Sequence, residues 1–192
     1  MMTTPYFPIF EPNQNEEYFP EYPFTESKFG KGYSQRITDG YTIERWKTRF
    51  RIFSTWPRLT RWRAEKVYAV GDVVKKTGST PGDYVYQCVI AGTSHGTTEP
   101  TWPTTEENTI IDNTVTWVCW SKNQITALLN FVAARKGHVG SFNVWIPILS
   151  NWKLMMFPVE PVHLTPARSG LYCIVDVEIE FEGVFSFESE DS

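Results

Sequence analysis

Residues 42–53, Thr-Ile-Glu-Arg-Trp-Lys-Thr-Arg-Phe-Arg-Ile-Phe, alternate between two faces. Trp46, Thr48, Phe50 and Ile52 share one, and Arg45, Lys47, Arg49 and Arg51 share the other. A period of two puts successive side chains on opposite sides of an extended chain, so this stretch predicts a strand with one buried face. Residues 173–182, Cys-Ile-Val-Asp-Val-Glu-Ile-Glu-Phe-Glu, repeat the pattern with the opposite charge. Val175, Val177, Ile179 and Phe181 face inward, and Asp176, Glu178, Glu180 and Glu182 face outward. A basic stripe and an acidic stripe, each backed by apolar residues, predict two strands of one sheet. They either lie adjacent and antiparallel within the chain or pair across a subunit boundary. Each opposite-charge pair adds only about 0.2–1 kcal/mol, so the stripes act mainly on register and choice of partner. Arg45, Lys47, Arg49, Arg51, Asp176, Glu178 and Glu180 are therefore candidate subunit-interface residues.

Residues 121–136 carry the one clear helical pattern, with Ile125, Leu128, Leu129 and Val132 on one stripe. Ser121 and Gln124 have the spacing of a capping box. Arg135 and Lys136 suit the C-terminal dipole, and Gly137 suits the position just past the end. Residues 141–147 then predict a further strand. Residues 1–23 hold five Pro among many aromatics and show no period. They predict an extended arm that either gains order on a neighbour or stays a free terminus. Gly30 and Gly32, bracketing Lys31, indicate a tight turn. Their spacing is not that of a phosphate loop.

Residues 62–120 differ in character. Short apolar pieces alternate with Gly, Thr, Ser and Pro, as in a small all-β unit built of hairpins. Most of the eight Trp lie in or beside this stretch. Sugar binding needs flat aromatic faces beside polar groups, which makes Tyr84, Trp102, Trp117 and Trp120 candidate glycan-binding residues. The alternative is that these rings are the core of a thin domain.

The chain of 192 residues is 41% hydrophobic and 16% aromatic, enough for a substantial core, and its formal net charge is −4. That charge offers no electrostatic ground for sequence-specific nucleic-acid binding. No apolar run reaches the roughly 20 residues of a membrane span, and residues 1–24 have neither the basic nor the apolar region of a secretory signal. The three Cys and three His have no metal-site spacing. Cys88 and Cys119 are either buried free thiols or, in an oxidising medium, a pair. No cofactor motif and no catalytic constellation is present. Asp176, Glu178 and Glu180 read better as a solvated strand face than as catalytic carboxylates.

Within 62–120, Trp62, Tyr68, Gly71, Asp72, Val74, Tyr86, Gly96, Pro100 and Trp117 or Trp120 fall in an order that resembles small carbohydrate-binding modules of the chitin-binding type. The stretch departs from that pattern in the longer run before Tyr84 and in the added Thr98–Pro103 loop. Outside it, Phe29-Gly30-Lys31-Gly32-Tyr33-Ser34-Gln35-Arg36 forms one motif. Gly137, Ser141, Phe142, Trp145 and Pro147 form a second, and Glu180-Phe181-Glu182 a third. Together they resemble the minor tail protein M family of lambda-like phages, over about residues 24–55 and 121–184. The resemblance implies a distal-tail-type structural protein of the virion tail tip, assembled in the host cytoplasm. It implies a mainly β fold, a β-sandwich with one flanking helix, and a homo-oligomeric, typically hexameric ring joining the tube protein to the hub protein. Residues 1–23 would be the arm, 24–61 with 121–192 the discontinuous core domain, and 62–120 an inserted module pointing outward to host-surface carbohydrate. The runners-up are a tail terminator or tube protein, and an adhesion protein that binds glycan without forming a ring.

Overall fold

The computed structural model describes residues 4–11, 17–21, 24–29, 33–38, 43–78, 83–135, 140–157, 163–167 and 174–183. The fold is mainly β. Its strands, in chain order, begin with β1 (Glu17–Glu21), β2 (Phe24–Phe29), β3 (Tyr33–Thr38), β4 (Ile43–Phe53), β5 (Thr60–Arg61), β6 (Val67–Tyr68) and β7 (Val73–Lys75). They continue with β8 (Tyr84–Ile90), β9 (Gly92–Thr93), β10 (Thr109–Asp112) and β11 (Val115–Ser121). After helix α1 (Gln124–Ala134) come β12 (Phe142–Ile146), β13 (Asn151–Met156), β14 (His163–Ala167) and β15 (Ile174–Gly183).

The larger sheet runs β1-β4-β15-β13-β12, with β14 also on β15. The two charged strands are its centre. β4 and β15 pair antiparallel within the chain, from Phe53 opposite Ile174 to Arg45 opposite Glu182. Trp46, Thr48, Phe50 and Ile52 are buried, as are Val177, Ile179 and Phe181, so the period-two reading holds on both strands. The ion pairs run directly and diagonally across the register: Arg49 to Glu178 at 2.8 Å, Lys47 to Glu178 at 2.7 Å and Arg45 to Glu180 at 2.8 Å. Arg51 lies opposite Asp176 in the backbone register; the Asp176 side chain lies outside the described residues. The complementary stripes thus meet inside one chain. That removes the charge argument for Arg45, Lys47, Arg49, Glu178 and Glu180 as subunit-interface residues.

The second sheet, β10-β11-β8-β7-β5, comes from the aromatic-rich stretch. Both its faces are buried, and they serve different cores. Tyr86 and Cys88 of β8 join Trp62, Tyr68, Val74, Trp102, Val115, Trp117 and Cys119 in a local cluster. Val85 and Val89 of β8, with Val118 and Trp120 of β11, turn the other way into the main core. There they meet β4, β12, β15 and α1 residues such as Phe50, Phe131, Phe142 and Phe181. The outward-pointing placement that the resemblance implies for residues 62–120 therefore does not describe this sheet.

Helix α1 begins two residues later than the Ser121 reading. Ser121 closes β11, and Asn123 is the cap, its Oδ1 accepting from the backbone N–H of Ile125 and Thr126. The buried stripe is Gln124, Ala127, Leu128 and Phe131, while Leu129 is 47% exposed. This is the stripe one residue round from the expected one. Gln124 can lie inward because its Oε1 accepts from the Phe53 backbone N–H at 2.9 Å, which satisfies the buried amide. Lys136 and Gly137 lie outside the described residues, as do Gly30 to Gly32. The β2–β3 pairing, from Phe29 opposite Tyr33 to Phe24 opposite Thr38, is antiparallel.

The N-terminal stretch is not an arm lying away from its own chain. Phe7 and Phe10 are each 2% exposed within the main core. Residues 17–21 form β1, paired with β4 from Glu17 opposite Lys47 to Glu21 opposite Ile43. Aromatic residues without a period had nonetheless a place to go, because the main core takes large rings.

Candidate functional site

The loops beside β8 and the outer side of α1 enclose an open cleft of ≈ 540 Å³. Its lining includes Asp83, Tyr84, Thr104, Thr105, Glu106, Glu107, Ser121 and Asn130. The acidic groups there are already oriented. Glu106 accepts from the Ser121 backbone N–H and from Asn130 Nδ2, each at 2.8 Å. Glu107 receives both Nη1 and Nη2 of Arg135, at 3.1 and 2.7 Å. Arg135 is itself buried, with its guanidinium 3.3 Å from the Phe131 ring centroid, and it donates to the Phe131 carbonyl. Helix and loop are thus fastened by a two-pronged charge-assisted contact. At the cleft's rim Lys122 donates to Asp83 at 2.6 Å, which holds the Asp83 carboxyl below its ordinary pKa. Half-buried Tyr84 supplies the aromatic wall. Carboxylate oxygens with spare lone pairs, Thr hydroxyls and one ring are the donor and acceptor set that a polyhydroxylated ligand needs.

Of the four candidate glycan-binding aromatics, the cleft gathers only Tyr84. Trp117 is 0% and Trp120 1% exposed, and Trp102 is 8% exposed. Trp102 stacks on Tyr86 with centroids 4.1 Å apart and donates from Nε1 to Glu99 at 2.8 Å. Trp117 packs edge-on against Tyr68 and Trp102. Trp120 faces Phe131 in the main core. These three rings offer no flat face to a sugar, because two cores on either side of one sheet consume them. No period or spacing in the sequence distinguishes an inward Trp from an outward one here. The signals missed were Glu106 and Asn130, ordinary surface residues by type.

On the outer face of the larger sheet, Glu178 lies between two cations. Hydrogen bonds from Lys47 and Arg49 hold its carboxyl down at about 2. A depressed folded-state pKa means stability present above the unfolded value, roughly 4.3 for Glu, and lost as pH falls toward 2. The group is largely solvated, so screening shrinks the effect. The expected result is that Glu178→Gln flattens part of the acid limb of stability between pH 4 and 2, read as urea midpoint against pH. An unaltered limb would show that the pairs contribute nothing.

Cys88 and Cys119 are buried free thiols, both pushed up to about 12 by burial. Cys88 lies opposite Trp117 and Cys119 opposite Tyr86, so they are not direct cross-strand partners. Cys173 lies outside the described residues. Among the described residues there is no group of three or more His, Cys, Asp or Glu that could hold a metal ion. No helix among them is long and apolar enough to cross a membrane. Compared with known proteins, the chain matches no family model, no curated protein and no solved structure.

Proposed function

We propose that the chain is a structural, non-catalytic protein of a phage tail tip, a β-sandwich with one flanking helix that forms a hexameric ring joining the tail tube to the hub. The observation that carries this reading is the resemblance of Phe29–Arg36, of the Gly137–Pro147 motif and of Glu180–Glu182. The described parts of these motifs fall on the paired strands β2 and β3, on and directly beside β12, and on β15. A ring needs surface to bury, and the tip of the β12–β13 hairpin supplies some. Ile148 is 64% and Leu149 40% exposed there, next to the motif's Pro147. Adjacent exposed apolar residues at a loop tip fit an association surface. The cleft beside Tyr84 is the place for contact with host-surface carbohydrate.

Light scattering with negative-stain imaging tests the ring. Closed rings of about six copies are the expected result. A protein that stays monomeric even with tail-tube protein present as a template would remove the reading. The glycan contact is tested separately. Tyr84→Ala should lower retention on host cell-wall carbohydrate by about tenfold, the equivalent of ~1.4 kcal/mol. Because Tyr84 also packs against the local aromatic cluster, retention is compared under conditions where urea unfolding shows both proteins fully folded. Equal retention of variant and parent, or no retention of the parent, would remove the carbohydrate role and leave the ring untouched.

A further inference from the structure

The segment Thr4–Glu11 enters between the two sheets and is held at three places. At the first it extends the open edge of β12 as a parallel rung, Tyr6 beside Asn143. Asn143 N donates to the Pro5 carbonyl and Phe7 N to the Asn143 carbonyl, both at 2.8 Å. At the second, the side chain of Gln87 on β8 grips the backbone of Ile9 from both sides. Ile9 N donates to Gln87 Oε1 at 2.9 Å, and Gln87 Nε2 donates to the Ile9 carbonyl at 2.7 Å. At the third, Phe7 packs edge-on to Phe131 and Phe181, and Phe10 packs on Phe50 and stacks on Trp56.

Gln87 is 1% exposed, on the same face of β8 as Val85 and Val89. A buried amide left without partners costs about 1–3 kcal/mol, so this side chain makes sense only with a peptide backbone beside it. Two of the three holds address backbone, and the third selects for large rings. That division of labour is the one by which sheets take up an added peptide strand, with main-chain bonds for affinity and pockets for choice.

The groove contacts named here fall on residues 50 to 181, all beyond the segment and beyond β1. A second copy of the segment, delivered by another chain, would make the same contacts at the same sites. Exchange of an identical element is a low-cost route to assembly for this reason. We propose that the groove between β8 and β12 is a peptide-acceptor site, and that its occupant in the assembled protein is residues 4–11 of a neighbouring copy. The proposal rests on the ring reading and names the link between its subunits: each chain closes the core of the next.

The test places a photocrosslinker on the segment in the full chain, as Tyr6→p-benzoylphenylalanine, where the native ring lies 4.9 Å from Trp152. Equal amounts of isotopically heavy and light chains are assembled together and irradiated, and the crosslinked peptides are read by mass. Random exchange predicts that about half of the links joining residue 6 to the β12–β13 hairpin are heavy-to-light hybrids. Rings by light scattering with only like-to-like links would overturn the exchange and leave the ring. Like-to-like links in a protein that stays monomeric even with tail-tube protein present would overturn both. The reciprocal variant, Trp152→p-benzoylphenylalanine, reads the same contact from the groove side should the first substitution disturb the segment.

Discussion

Replacing Phe7 with Ala is expected to remove about 3–5 kcal/mol of stability, the cost of truncating a fully packed aromatic residue. Phe7 touches rings from four directions in sequence: Phe50 from β4, Phe131 from α1, Phe142 from β12 and Phe181 from β15. Three of these lie on strands of the larger sheet and the fourth on the helix, so no single element can relax inward to fill the hole. Domains of ordinary stability hold about 5–15 kcal/mol in all, and the loss should move the urea midpoint down by about 2 M. Phe7→Leu, which keeps most of the volume, should cost clearly less. A midpoint unchanged in the Ala variant would mean that the N-terminal segment does not occupy the core.

The second large effect is expected at Asp112, a buried carboxylate at the end of β10. Its Oδ2 accepts from Trp62 Nε1 at 2.8 Å and from Trp117 Nε1 at 3.3 Å, and its Oδ1 accepts from the His95 backbone N–H at 2.9 Å. One side chain thus satisfies two indoles and a loop amide. Asp112→Ala would leave these donors without their acceptor, at about 1–3 kcal/mol for each buried one, and a total loss of about 3–5 kcal/mol is expected. Asp112→Asn keeps one acceptor oxygen and should fall between the Ala variant and the parent. Urea unfolding followed by Trp fluorescence would measure both. Equal midpoints for Ala and parent would show that the network adds nothing.

The two central strands were legible in the sequence because a strict period of two, with one charge sign per strand, suits an extended chain buried on one face and suits no helix. Their adjacency was legible too. Whether they met within one chain or between two was not, since charge complementarity is the same in either case. The helix was legible as an element, but its buried stripe was off by one residue. Gln124, read as the partner of Ser121 in a capping box, instead lies inward and accepts from the Phe53 backbone N–H. The N-terminal segment was legible as extended chain that could gain order by packing, but not as part of this chain's own core. Its Phe residues follow no period because a single peptide threaded between sheets obeys neither the helix nor the strand repeat. The candidate site suffered in the opposite sense. Three of its four aromatics were the right residue type but are consumed by the two cores, Trp102 and Trp117 by the local cluster and Trp120 by the main core, and the cleft's polar groups carry no signal of their own.

The second sheet spends its two faces on two different cores, and this governs how the molecule comes apart. Losing β8 or β11 strips the local aromatic cluster and the main core together, so neither can open while the other stays packed. The amides of these two strands should therefore exchange with solvent only through global opening, as one cooperative unit. An excised 62–120 fragment would expose Val85, Val89, Val118 and Trp120 to water, so the stretch can be moved to another scaffold only with a new cover for that face.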